Sequence, residues 1–233
     1  MLLDRRDLDL LRLIGLCKDL PTDCLPLQCD MFSQVSFAVL IGVGYIRKSK
    51  CGLSYRLTDK GHALLNAHGY PAEKDAVPVG SGRTLRKRLE TAKVILSLYR
   101  CGVEVFEKSG KGFVFIPAFL YRRKGKGAIL GASQLCGIML NSKQTVAVYF
   151  ITEQTKLNSG VETAAIKRIA ALLQAPDNRV VLFFADDQSV LDSFEGPFGD
   201  SARKHIWGDA FAVHQKWPLY EPSATPLEVS IYA

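Results

Sequence analysis

Three polar side chains at the head of an apolar stretch, Ser33, Gln34 and Ser36, and four cations in the segment after it, Arg47, Lys48, Lys50 and Arg56, form the pattern in this 233-residue sequence that best matches a definite chemistry. A glutamine amide presents a donor and an acceptor side by side, which matches the edge of adenine in the major groove, and serine hydroxyls bond bases or phosphates. Guanidinium and ammonium groups carried on a hairpin meet phosphates or the minor groove. Two further basic clusters, Arg83/Arg86/Lys87/Arg88 and Arg122/Arg123/Lys124/Lys126, suit the same phosphate chemistry. The first stands at a helix start, where the dipole disfavours cations, and that small cost points either to use in binding or merely to solubility.

Other chemistries lack their spacing. The six cysteines, Cys17, Cys24, Cys29, Cys51, Cys101 and Cys136, form no Cys-x-x-Cys pair, and no histidine follows Cys24 and Cys29 at zinc-finger distance. Reduced, mostly buried thiols and no metal or other cofactor are expected. His62, His68, His205 and His214 are scattered. Asp186-Asp187 follows an apolar run, where acids more often cap a helix or face water than act on a substrate. The glycine-rich segment from Gly125 to Gly131 lacks the spacing of a phosphate-binding loop. No catalytic residue is assigned.

The elements that must position these residues follow from periodicity. Leu10, Leu13 and Ile14 predict a first helix over 3–16, with Asp4, Asp7 and Asp9 in its early turns. Thr22 or Asp23 caps a short second helix limited by Pro26, and Asp30 a third over 31–41 that carries Ser33, Gln34 and Ser36. Tyr45–Lys48 and Leu53–Leu57 read as strands around a Ser-Lys-Cys-Gly turn, and Thr58 caps a helix over 59–66. Gly80-Ser81-Gly82 marks a linker. A long helix over 84–99 then buries Leu85, Leu89, Ala92, Ile95, Leu96 and Tyr99. Beyond it come strand candidates at 103–106, 113–121, 129–140, 145–152 and 180–185. Helices are expected over 162–174, with Ala165, Ile166, Ile169, Leu172 and Leu173 inward, and over 189–194. From Phe211 onward irregular packing is expected.

Charge is unevenly spread. Residues 1–75 carry net +1, residues 76–130 carry +9 (12 basic against 3 acidic side chains) and residues 131–233 carry −3. A concentrated basic block attracts phosphates. No apolar run approaches the roughly 18–20 residues that cross a bilayer, and the charged start of the chain does not read as a signal peptide. A cytoplasmic protein without membrane partners is expected.

The order helix, helix, helix, hairpin, helix, with Gly44-Tyr45-Ile46 opening the hairpin and Leu57-Thr58-x-x-Gly61 closing it, resembles the winged helix-turn-helix of bacterial regulators over about residues 3–69. The order that follows, helix, three strands, helix, strand, resembles a restriction-endonuclease-like core. Together the two halves are similar to the replication-relaxation family of plasmids and other mobile elements. The second likeness rests on Ala132–Leu140, Val146–Phe150 and the helix from Glu162. A nuclease of that kind requires an acid at the start of one central strand and Asp/Glu-x-Lys on the next, to hold magnesium and position water. Here Ile116-Pro117-Ala118 and Val146–Thr152 carry no acid, and Glu153 is followed by Thr155 where the lysine belongs.

The expectation is therefore an α/β (α+β) chain. A winged helix-turn-helix spans 1–75, a linker 76–83, and an α/β domain with a central mixed sheet 84–233, the latter for assembly or partner binding. Double-stranded DNA is the expected partner and a homodimer the expected state, in transcription regulation or in replication or transfer of a mobile element. Two alternatives stand beside it: a metal-dependent nuclease with displaced acids (Glu90, Glu104, Glu153), and a protein-interaction adaptor.

Overall fold

The computed structural model describes residues 3–23, 34–70, 72, 82–106, 113–122, 132–194, 198 and 202–206. The chain is an α+β protein that divides into two compact units, Met1–Leu96 and Ser97–Ala233. The division falls inside one long helix, α4 (Gly82–Arg100), so its basic first turns belong to the first unit.

In the first unit, α1 (Arg5–Cys17) begins at a capping box. The Asp4 carboxylate accepts from the Asp7 amide at 2.8 Å, and the Asp7 carboxylate from the Asp4 amide at 3.4 Å. The helix buries Leu10, Leu11, Leu13, Ile14 and Cys17. The next strand, β1 (Leu20–Pro21), lies where only a break in the helical pattern is expected. It pairs antiparallel with β3 (Ser54–Leu57), which pairs antiparallel with β2 (Ile46–Lys48), in the order β1-β3-β2. Pro21 is tolerated because β1 is an edge strand. Helix α2 is Gln34–Gly42 and α3 is Asp59–Ala67. The short second helix expected after Thr22, and Met31–Ser33 of the third, lie outside the described residues.

The junction between hairpin and α3 is built on Thr58 and Gly61. The Thr58 hydroxyl donates to the Gly44 carbonyl at 2.6 Å and accepts from the Gly61 amide at 3.1 Å, capping α3 while tying it to the end of α2. A Cβ on Gly61 would collide with the Tyr45 carbonyl oxygen. Only glycine lets α3 pack this close to the strand entrance.

The second unit holds one five-stranded mixed sheet, β4 (Val114–Pro117), β5 (Gly137–Leu140), β6 (Thr145–Ile151), β7 (Arg179–Ala185) and β8 (Ala202–Ile206), in that order. β5 runs antiparallel to both its neighbours, while β6, β7 and β8 are mutually parallel. Every residue of β6 is buried, as a central strand covered on both faces requires. Helix α6 (Ser159–Leu173) makes the crossover from β6 to β7, and α7 (Gln188–Ser193) that from β7 to β8. Tyr149, Phe183, Ile151 and Ile169 lie in the core they enclose.

Several expectations change here. The 103–106 strand contracts to a single bridge between Glu104 and Val114. The 113–121 strand stops at Pro117, and Phe119–Arg122 forms a helical turn, α5. The extended segment expected to reach Leu140 is strand only from Gly137, and residues 123–131 lie outside the described residues. Leu172, expected inward, is 59 % exposed. It stands at the margin of the arc that Glu162, Ala165, Ile166, Ile169 and Ala170 bury. The tail from Phe211 lies outside the described residues.

Candidate nucleic-acid interface

Of the residues expected to read bases, Ser33 lies outside the described residues, Gln34 opens α2 and Ser36 is half-buried in its first turn. Farther along, the outward positions Ala38, Ile41 and Gly42 are uncharged. At the end of α2 the Lys60 ammonium donates to the Val43 carbonyl at 2.8 Å and lies 5.0 Å from the centre of the Tyr45 ring. A cation is well placed there, at a helix C-terminus.

The hairpin carries exposed positive charge, with the Lys48 ammonium 5.9 Å from the centre of the Tyr55 ring. Arg47 and Lys48 on β2 and Lys50 in the turn are exposed. Arg56 is directly opposite Arg47 in the antiparallel register, a pairing of like charges that is unfavourable by itself. The conflict is resolved by Asp19, which follows α1. Its carboxylate is 1 % exposed and forms an ion pair with Arg56, whose Nε lies 3.1 Å away and donates to the Lys18 carbonyl at 3.4 Å; it accepts from Arg88 Nη1 at 3.1 Å and from the Ser54 hydroxyl at 2.8 Å. Arg56 and Arg88, both expected on DNA, thus close a clasp that joins the α1 terminus, β3 and α4. The pattern gave no warning of Asp19, because Ser54 and Arg88 lie 35 and 69 residues away along the chain.

The rest of the first basic cluster divides. Arg86 pairs with Glu90 at 2.9 Å along α4, an exposed i,i+4 bridge of little energetic weight. Burial pushes the Glu90 carboxyl above the usual carboxylate range, with Arg86 partly offsetting it. Lys87 is half-buried, and Arg83 lies in the first turn of α4. In the second unit Arg122 ends α5, while Arg123 and Lys124 lie outside the described residues.

The turn of the hairpin is held from the side. The Thr22 amide donates to the Leu53 carbonyl at 3.1 Å and its hydroxyl to the Gly52 carbonyl at 3.2 Å, so the segment after β1 runs along the turn and fixes it. Gly52 supplies φ +75°, which a side chain would resist. Beside it the Cys51 thiol is exposed and shifted below its ordinary value, first by the Ser49 hydroxyl 3.3 Å away.

The second unit contains a buried polar knot absent from the sequence expectations. Glu162, 1 % exposed on α6, accepts from the Ser133 hydroxyl at 2.6 Å, the Gln134 amide at 2.9 Å and the Tyr149 hydroxyl at 3.1 Å. Burial, then the adjacent Glu162 charge, drives the Tyr149 phenol far above its ordinary value. All three bonds point inward, so the knot locks α6 to β6 and to the approach to β5.

Acids that a displaced nuclease site would use are otherwise placed. Glu90 is paired with Arg86, the Glu104 carboxylate accepts from the nearby Phe106 amide at 2.9 Å, and Glu153 is exposed in a turn after β6. Asp187 caps α7 by accepting from the Ser189 amide at 2.8 Å. Among the described residues, no three His, Cys, Asp or Glu side chains are grouped to hold a metal, and no helix is long and apolar enough to cross a membrane. Comparison with protein-family models, curated proteins and solved structures finds no match to this chain.

Proposed function

We propose that this chain binds double-stranded DNA through its first unit, acting in transcription regulation or in replication or transfer of a mobile element. One observation carries the reading: a hairpin with exposed Arg47, Lys48 and Lys50, braced on its β3 side by Asp19 and Thr22, is built onto α2 and α3 through the Thr58 and Gly61 junction. In this reading the unit is a winged helix-turn-helix. The start of α2, with Gln34 and Ser36, enters the major groove. The hairpin is the wing, and its cations neutralise phosphates. Arg56 and Arg88 support the wing through Asp19 rather than touching DNA themselves. The second unit, whose strand order and sense suit a nuclease-like core without its acids, serves assembly or a protein partner. Two copies would then read two half-sites, as a two-fold dimer does.

Replacing both Arg47 and Lys48 by alanine tests the reading. Affinity falls for every duplex and the salt dependence flattens by about one unit of slope for each phosphate no longer neutralised, whereas Gln34→Ala changes sequence preference. If neither change alters binding, the assignment of the face is wrong. A second reading, a winged helix that docks on protein, draws on Ala38, Ile41 and Gly42, the uncharged outward positions of α2. It predicts no DNA affinity at any salt concentration. A magnesium-dependent cleavage activity abolished in Glu153→Ala would favour the nuclease over both.

A further inference from the structure

Among the large apolar side chains described in the first unit, Leu53 is the most exposed, at 54 %. Single exposed leucines are ordinary and mean little alone. This one stands out because of how its position is held. The Ser49 amide donates to the Ser54 carbonyl at 2.8 Å, and the Gly52 amide donates to the Ser49 carbonyl at 2.9 Å. Thr22, from the neighbouring segment, bonds the carbonyls of both Gly52 and Leu53. The backbone on each side of Leu53 is therefore fixed while its side chain projects into solvent. The same turn and strand present Lys50, Lys48 and Arg47, all exposed.

A rigid apolar tip on a cationic hairpin matches one mode of DNA recognition. Proteins that bend DNA insert leucine or similar side chains between base steps from the minor groove, while nearby cations hold the phosphates. Unstacking is easiest at flexible TA and CA steps. A mobile tip would lose much of the benefit to ordering, and the Thr22 bonds remove that cost in advance. We propose that Leu53 is an apolar wedge that enters the minor groove, partly unstacks one base step and bends the duplex. This rests on the DNA reading above and adds a deformation that the reading does not itself require.

The test uses the full chain and a short duplex rich in TA and CA steps, carrying a donor dye at one end and an acceptor at the other. Energy transfer reports the bend, and anisotropy on the same sample reports binding. The wild type is expected to bend the duplex by about 20° or more. Leu53→Ala is expected to lose that bend and several-fold in affinity while keeping the wild-type salt slope, and Leu53→Met to restore the bend. Arg47→Ala with Lys48→Ala is expected to flatten the slope. Salt-dependent binding by a wild type that leaves the duplex straight overturns the wedge and leaves the DNA reading intact. A bend retained in Leu53→Ala does the same. Absence of binding by every variant overturns both, as does Leu53-dependent capture by anionic phosphatidylserine vesicles with none by the duplex.

Discussion

Replacing Asp19 by alanine tests whether the clasp beneath the hairpin is structural. The carboxylate is 1 % exposed, while its partners Arg56 and Arg88 are 22 % and 19 % exposed. Removing one member of a buried pair typically costs about 3–5 kcal/mol, because the remaining charge is left uncompensated. Here two guanidinium groups lose their counter-ion, but Arg56 Nε keeps the Lys18 carbonyl, and each group keeps about a fifth of its surface in water and rehydrates in part. The lower end of that range, about 3 kcal/mol, is therefore expected for Asp19→Ala. Arg88→Ala removes one of two counter-cations and leaves Arg56 in place, so about 1–2 kcal/mol is expected. The double variant should cost less than the two single changes combined, by roughly 1–2 kcal/mol of coupling. Urea unfolding of the full chain, followed by far-ultraviolet circular dichroism, measures this. The two units can melt separately, so the transition of the first unit is the one compared. Stability of Asp19→Ala within about 0.5 kcal/mol of wild type, the range of an ordinary surface change, would refute the clasp. So would an Arg88→Ala protein of wild-type stability with weakened DNA binding, because Arg88 would then be a phosphate ligand.

Three further outcomes follow from the packing. Gly61→Ala drives a methyl into the Tyr45 carbonyl and should destabilise the first unit by about 1–3 kcal/mol in the same unfolding experiment. Glu162→Ala leaves the Ser133 and Tyr149 hydroxyls and the Gln134 amide without their acceptor. It should cost about 3 kcal/mol or more in the second unit, and a cost below about 1 kcal/mol would mean the knot relaxes freely. His205 is buried on β8, and burial pulls its imidazole down to about 4. The unfolded chain binds that proton near the ordinary value of about 6.5. Stability is therefore unaffected above that pH and falls on acidification through the window down to about 4, by up to about 3 kcal/mol. Thermal melts at stepped pH should show this loss, reduced in His205→Phe. An equal acid sensitivity in that variant would assign it to other groups.

Much of the molecule is legible locally. The spacing of Leu10, Leu13 and Ile14 announces α1, though Asp4 proves to be its cap rather than part of its first turn; Thr58 announces α3, and the apolar runs of β6 and β7 announce buried strands, because capping and hydrophobic periodicity act over a few residues. What escapes has distant causes. β1 is two residues long and becomes a strand only because β3 is there to pair with it. Ala202–Ile206, with Arg203, Lys204 and His205, has no apolar run to announce a strand, yet β8 pairs with β7 there, and an edge strand tolerates such charge. Arg56 and Arg88 look like phosphate ligands until Asp19, remote in sequence and unremarkable in type, claims them. Charge composition shows where cations are, but only the packing shows which of them already have a structural partner.

DNA binding by the first unit is tested most directly by titrating the full chain into fluorescently labelled mixed genomic duplexes and recording anisotropy at low and moderate salt. Binding is expected at low salt and should weaken linearly in a log–log plot against salt, with a steep slope that flattens when Arg47 and Lys48 are replaced by alanine. Absence of binding at low salt, or affinity indifferent to salt and to those two residues, would contradict it.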